Sequence, residues 1–192
     1  MTLNPTCTLV LDLELQCWDG PTPPGYSNDI IQIGIVKVDV RAFRILKQGR
    51  YYVRPQRMQI SPYCTALTGI TEQIVLRKGR PLLEVVNTVI RNFGPTRRQC
   101  LTWGDDKSVL DRELGLRKRP NPFHMLDLGW MYRSSFGIEQ NLSLENALRS
   151  LGMEFLGRPH DTLDDAINTA RVHMAMVKRM RQTPVMQMRP VF

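Results

Sequence analysis

Long hydrophobic runs are missing from this chain. None approaches the roughly 18 residues that a helix needs to cross a bilayer, so a membrane-spanning protein is not expected. Cysteine is scarce: the four, at 7, 17, 64 and 100, show neither CxxC pairing nor zinc spacing. Reduced thiols are therefore expected rather than a disulfide framework. The opening MTLNPTCTLV lacks a basic n-region and an apolar h-region, which makes cytoplasmic localisation the expectation. Repeats and low-complexity tracts are absent too. Acidic charge is the scarcer sign: 18 Asp and Glu face 26 Lys and Arg, a net charge of +8. Such an imbalance calls for a polyanionic partner, with nucleic acid the leading class, or else for a merely soluble basic surface. The basic clusters Arg77-Lys78-Arg80, Arg97-Arg98, Arg117-Lys118-Arg119 and Lys178-Arg179-Arg181 are dispersed, which suits contact along a phosphate backbone better than a single tail.

What is present is one ordinary domain's worth of chain: 192 residues, 42% hydrophobic and 23% charged. Alternation and β-branched content predict strands over 8–14, 29–40 and 44–55, the last two joined as a hairpin by the short RAF connection. GPTPPGYSN is a loop, and SPYCTALTGIT reads as irregular. Apolar residues at helical spacing predict a helix over 81–93, with Pro81 suited to its first turn. A strand at 99–103, an amphipathic helix in DDKSVLDREL and a strand in FHMLDL follow. Two further helices lie in LGWMYRSSFG and SLENALRSLG, and a long last helix over 161–180 is capped by Asp161. Its main apolar row is Leu163, Ile167, Ala170, Met174 and Val177, with a second row through Asp165, Thr169, Val172 and Met176. Three antiparallel strands followed by alternating helices and strands make an α/β fold, a mixed sheet flanked by helices on both faces. The domain spans residues 1–180, and 181–192 form a tail.

The acids carry the functional signal. In LVLDLELQC, Asp12 and Glu14 lie two apart on a strand and so share one face. Burying two like charges in a core strand is costly or forces one of them to protonate, so something positive is expected between them. A lone D-x-E is weak evidence, since surface acids are common. TWGDDKSVL places Asp105 and Asp106 after a strand at a helix start, where acids also serve as caps. GRPHDTLDDAINTA places His160 in the loop before the last helix and Asp165 five residues on. His124 and His173 stand apart from other candidate ligands. Hard oxygen donors without a cysteine point to Mg²⁺ or Mn²⁺.

The segments LDLELQC, NDIIQIGIVKVD, YVRP, YCTALTGIT, TWGDDKSVL and LGRPHDTLDDAINTARV, spread over residues 9–175, resemble the DEDDh 3′–5′ exonucleases. They are most similar to the branch holding the Eri-type histone-mRNA and small-RNA exoribonucleases and the sporulation-inhibitor-like proteins. The resemblance implies an RNase H-like fold, and Asp12, Glu14, Asp106 and Asp165 as ligands of two divalent cations. It implies His160 as general base and release of 5′-mononucleotides from single-stranded 3′ ends, of RNA rather than DNA. It also nominates Leu67 and Thr68 of LTGIT as contacts for the terminal nucleotides. Trp103 is a candidate stacking platform or a core residue at a strand end. Either Asp105 or Asp106 could be the middle acid; Asp106 is favoured because Val109 and Leu110 follow it at +3 and +4. Leu15 and Gln16 stand where the family has small residues. A DNA exonuclease and a catalytically weak nucleic-acid-binding regulator are the rival readings.

Overall fold

Alternation along the first strand divides the molecule into its two packing layers. β1 (Cys7–Leu15) turns Leu9, Leu11 and Leu13 toward one face of the sheet, and Val10 toward the other. The structure, a computed structural model, describes residues 7–94 and 99–182. β2 (Ile30–Asp39) pairs antiparallel with β1, and β3 (Arg44–Tyr52) antiparallel with β2. After three helices, β4 (Gln99–Thr102) returns parallel to β1, and β5 (His124–Asp127) lies parallel to β4. The sheet order is β3-β2-β1-β4-β5, which places the acid-bearing strand at the centre.

Leu9, Leu11 and Leu13 pack with α3 (Leu82–Phe93) and α4 (Asp106–Gly115), including Val85, Val89, Leu110 and Leu114. On the opposite face, Val10, Val36, Val38 and Leu101 meet α5 (Leu128–Phe136), α6 (Leu144–Ser150) and α7 (Thr162–Gln182). A third, smaller core joins Ile31, Ile60, Cys64, Ile70 and Val75 beneath α1 (Pro62–Thr68) and α2 (Glu72–Lys78).

The first of these two short helices corrects the reading of SPYCTALTGIT as irregular. Ser61 caps α1 by accepting from the Cys64 N–H, Pro62 occupies its first turn, and Gly69 ends it in the left-handed conformation. Thr71 caps α2 in the same way by accepting from the Ile74 N–H. At seven residues each they are too short to show an apolar period. On α7, the buried positions are Thr162, Ala166, Asn168, Thr169, Ala170, Val172 and Met176. Apart from Ala170, the expected main row of Leu163, Ile167, Met174 and Val177 is only half-buried. The helix thus rotates its second row onto the sheet, and Asp165 heads that row. α7 runs to Gln182, past the expected boundary at 180; the rest of the expected tail, residues 183–192, lies outside the described residues, as do the first six residues and Arg97-Arg98. All four cysteines are free, and among the described residues no helix is long and apolar enough to cross a membrane.

Candidate active site

Asp12 and Glu14 continue the Val10 face of β1, the side on which α7 packs. What brings the far end of the sequence onto them is the neighbouring strand. Gly34 lies directly across from Asp12, and Gln32 across from Glu14. A Cβ on Gly34 would sit 2.1 Å from the Thr162 carbonyl oxygen, so only glycine lets the first turn of α7 approach the sheet this closely. Gln32 Oε1 accepts from the Thr162 hydroxyl (2.7 Å) and backbone N–H (3.3 Å). One strand further out, Arg50, in register with Gly34, pairs with Asp161, whose carboxylate also accepts from the Leu163 and Asp164 N–H groups as the helix cap. The start of α7 is thereby fixed to two strands, and Asp165, one turn in, comes down beside β1.

The result is a cleft of about 450 Å³ at one end of the sheet, lined by Asp12, Glu14, Asp105, Asp106, His160 and Asp165, with Leu67 and Trp103 at its walls. One oxygen from each of Asp12, Glu14 and Asp165 lies within 4.8 Å of the other two. Asp106 enters from the N-terminus of α4 and is flanked by the backbone N–H of Leu13. Asp105, at the cap position of α4, is exposed.

Burial, reinforced by the crowding of acids, sets the electrostatics. Partial burial pushes Glu14 up to about 8, and the charges of Asp165 and Asp106 add to the rise. Asp12 is raised well above the ordinary carboxylate range by desolvation and then by Asp106, Asp165 and Glu14. Asp106 is pushed up to about 7 by burial, against the opposing pull of the Leu13 N–H and its own. Asp165 reaches about 7 for the same first reason, with the His160 N–H acting to lower it. Four carboxylates that resist ionisation together are matched to a multivalent cation, and their all-oxygen donor set suits a hard one. His160 stands at the mouth in a left-handed backbone conformation (φ 61°), its side chain about half exposed and its Nδ1 3.6 Å from Glu14 Oε1.

The expected substrate contacts separate. Leu67 reaches the cleft, whereas Thr68 is buried, its hydroxyl donating to the Cys64 carbonyl and accepting from the Ile70 N–H. Trp103 lines the wall and is also a packing residue: its Nε1–H donates to the Leu142 carbonyl (3.1 Å), and its ring lies 6.0 Å from that of Tyr132. The two bulky residues after Glu14 are accommodated. Leu15 packs on the α3 and α4 core, and the amide of Gln16, 1% exposed, donates to the carbonyls of Arg57 and Gln59 and ties that segment to the end of β1.

Several contributors were not visible in the sequence. Gln32 and Gly34 read as ordinary strand residues, although glycine inside an otherwise apolar strand signals a close approach and could have been used. Arg158 bridges the loop bearing His160 to α1, donating to the carbonyls of Ala66 (3.0 Å) and Leu67 (2.8 Å). His173, which stands apart from the other candidate ligands, is half-buried on α7, and burial lowers its imidazole to about 4. His124 is exposed on β5.

Comparison with known proteins places this geometry. Residues 9–173 match the exonuclease family (RNase_T). The chain is 29% identical over 182 residues to human 3′-5′ exoribonuclease 1, covering 88% of this chain and 52% of that protein. It is 28% identical over 195 residues to the 3′-5′ exonuclease Snipper of Drosophila melanogaster, covering 88% of this chain and 69% of that protein. It therefore spans about half the length of the human relative. The nuclease domain of 3′hExo, a DEDDh family member solved bound to rAMP, superposes with a TM-score of 0.80 at 29% identity over 91% of this chain and 92% of that one. A 3′-exonuclease solved in recognition of the 3′ end of a histone mRNA stem-loop gives 0.78 at 28% identity, over 91% of this chain and 64% of that one. The zinc-bound E. coli exonuclease I complex with single-stranded DNA, at 18% identity and a TM-score of 0.70 over 92% of this chain and 42% of that one, shares the RNase H-like fold alone.

Proposed function

The chain belongs to the exonuclease family, and from that premise we propose that it removes 5′-mononucleotides one at a time from single-stranded 3′ ends, of RNA in preference to DNA. The observation that carries the reading is the meeting of Asp12, Glu14 and Asp165, from opposite ends of the chain, with their oxygens within 4.8 Å. The RNA preference is supported by the human relative, an exoribonuclease by name, and by the histone mRNA stem-loop recognised by a structural neighbour. Four free cysteines favour a reducing, cytosolic setting.

Asp12, Glu14 and Asp165 would hold divalent cations, Mg²⁺ or Mn²⁺, with Asp106 joining from α4. Bound there as a pair, such ions supply Lewis acidity at the scissile phosphate and an acidified water. The residues do the rest. The four carboxylates would fix where the cations sit, and so where water and phosphate meet. His160 turns Nδ1 toward Glu14, so this atom is placed to accept a proton from a water held among the acids, and its exposed position lets the proton leave to solvent. Leu67 provides an apolar wall against which a terminal base rests.

The test compares kcat/KM on RNA and DNA oligonucleotides of one sequence, labelled at the 5′ end, with Mg²⁺, with Mn²⁺ and with chelator. RNA is expected to shorten stepwise and faster than DNA, with no turnover in chelator and none in Asp12→Ala at an unchanged fold. Faster cutting of DNA would make the protein a DNA exonuclease. Binding without cutting would make it a regulator, and full activity in folded Asp12→Ala would remove the metal site.

A further inference from the structure

Of the basic clusters in the sequence, the fold brings one to the catalytic end of the sheet and carries two away from it. α4 begins at Asp106 and α7 one turn before Asp165. At 1.5 Å per residue, Arg117-Lys118-Arg119 lie roughly 16 Å down α4 and just past its end, and Lys178-Arg179-Arg181 roughly 20–24 Å down α7. Arg117 is further occupied by Glu113, at 3.0 Å.

The cluster at 77–80 behaves differently. Tyr52, at the end of β3, pairs with Gln32, which pairs with Glu14, so the three lie on one line across the sheet. Two strand spacings put the Tyr52 backbone roughly 10 Å from Glu14. Around it gather four cations from two segments of the chain. Lys78 Nζ stands 5.6 Å from the centre of the Tyr52 ring. Arg80 donates its N–H to the Tyr52 carbonyl (3.2 Å), and Arg54 donates its own to the Arg80 carbonyl (2.9 Å). Arg77 precedes Lys78 on the last turn of α2. All four are exposed, and among the described residues none has an ion-pair partner. Arg158, on the loop before α7, donates to the Leu67 carbonyl at the end of α1 and continues the positive charge to the cleft.

We propose that Arg54, Arg77, Lys78 and Arg80 bind the phosphates of the substrate strand about three or four nucleotides upstream of the bond being cut, an inference that rests on the exonuclease reading above. The spacing follows from the roughly 10–15 Å between this group and Glu14 and the 3.4 Å rise per phosphate of a stacked strand. The site takes any polynucleotide backbone. It therefore adds affinity and length dependence, while the identity of the base is left to the cleft.

Two charge-reversal pairs of equal net change separate the local contact from the general field of a basic protein: Arg77→Glu with Lys78→Glu, and Lys118→Glu with Arg119→Glu at the far end of α4. The full chain is titrated in chelator with a fluorescein-labelled 12-nucleotide RNA across a salt series. The first pair is expected to weaken binding about tenfold or more and to lower the slope of log K against log salt by about 1.4, the value for two lost single-strand phosphate contacts. The distal pair should shift affinity by less than about twofold. With Mg²⁺, the loss of kcat/KM in the first pair should be at least about fivefold larger on the 12-mer than on a dinucleotide, which cannot reach the patch. A melt, and the milder Arg77→Gln with Lys78→Gln pair, guard against a folding defect. Equal losses in the two charge-reversal pairs, wild-type binding in the first, or equal losses on the long and short substrates would overturn the proposal. If the wild type cuts neither substrate while the binding difference persists, the exonuclease reading fails and the phosphate surface stands.

Discussion

Glu14→Gln is expected to make the metal-free protein more stable while destroying its activity. Glu14 is 13% exposed, and its carboxyl is pushed from 4.5 to about 8, first by burial and then by Asp165 and Asp106. The unfolded chain releases this proton near 4.5, and the folded chain retains it until about 8. Within that window the native state binds more protons, so stability falls as pH rises. Over the roughly 2.5 units from 4.5 to 7, at about 1.36 kcal/mol per unit, the cost reaches about 3 kcal/mol. Glutamine carries no proton to hold and removes most of that cost. For a chain of this size the gain corresponds to roughly 6–12 °C in Tm. At pH 5 it shrinks below about 1 kcal/mol. Saturating Mg²⁺ should close the gap at pH 7, because the cation stabilises the wild type more than the variant. Thermal melts of both proteins at pH 5 and 7, in chelator and in Mg²⁺, give all four values, and turnover should fall by roughly two orders of magnitude or more. A Gln variant that melts at or below the wild type in chelator at pH 7, or a gap that does not change with pH, would refute the electrostatic account of this cleft.

Asp106→Asn should lose roughly a hundredfold or more in kcat, while Asp105→Asn stays within about twofold, since Asp105 is exposed and Asp106 is drawn in beside Leu13. The reverse order in a turnover assay would shift the middle acid by one residue. Gly34→Ala should cost roughly 1–3 kcal/mol or more and lower kcat at least about tenfold. Its Cβ collides with the Thr162 carbonyl and displaces the helix that carries Asp165. Melts and single-turnover rates check both effects, and a variant retaining wild-type Tm and rate would show that the close approach of α7 is not needed.

How much could be read from the chain alone depends on whether a feature has a local period. Strand alternation placed Asp12 and Glu14 on one face, and the observed strand β1 keeps them there. The long helix beginning after Asp161 announced itself by its cap and its apolar spacing, and the cap is observed. The two seven-residue helices, α1 and α2, escaped because a segment shorter than two turns has no measurable period, even though Ser61-Pro62 marked a start.

The sequence by itself determined the mixed α/β class, the basic charge and the acids in their order along the chain, because each is a property of composition or of nearest neighbours. Tertiary structure decided the rest. Thr68 was nominated beside Leu67, yet adjacent residues on a helix point about 100° apart, and only Leu67 reaches the cleft. Which row of α7 meets the sheet was set by Gly34 and Gln32, more than a hundred residues away, through a steric gap and a hydrogen bond that neither helical periodicity nor strand propensity encodes. The distance between the basic cluster at 77–80 and Glu14 follows from strand register together with the contacts of Lys78 and Arg80 to Tyr52. Register is fixed when side chains from distant segments find a common core, so no reading of either segment in isolation could supply it.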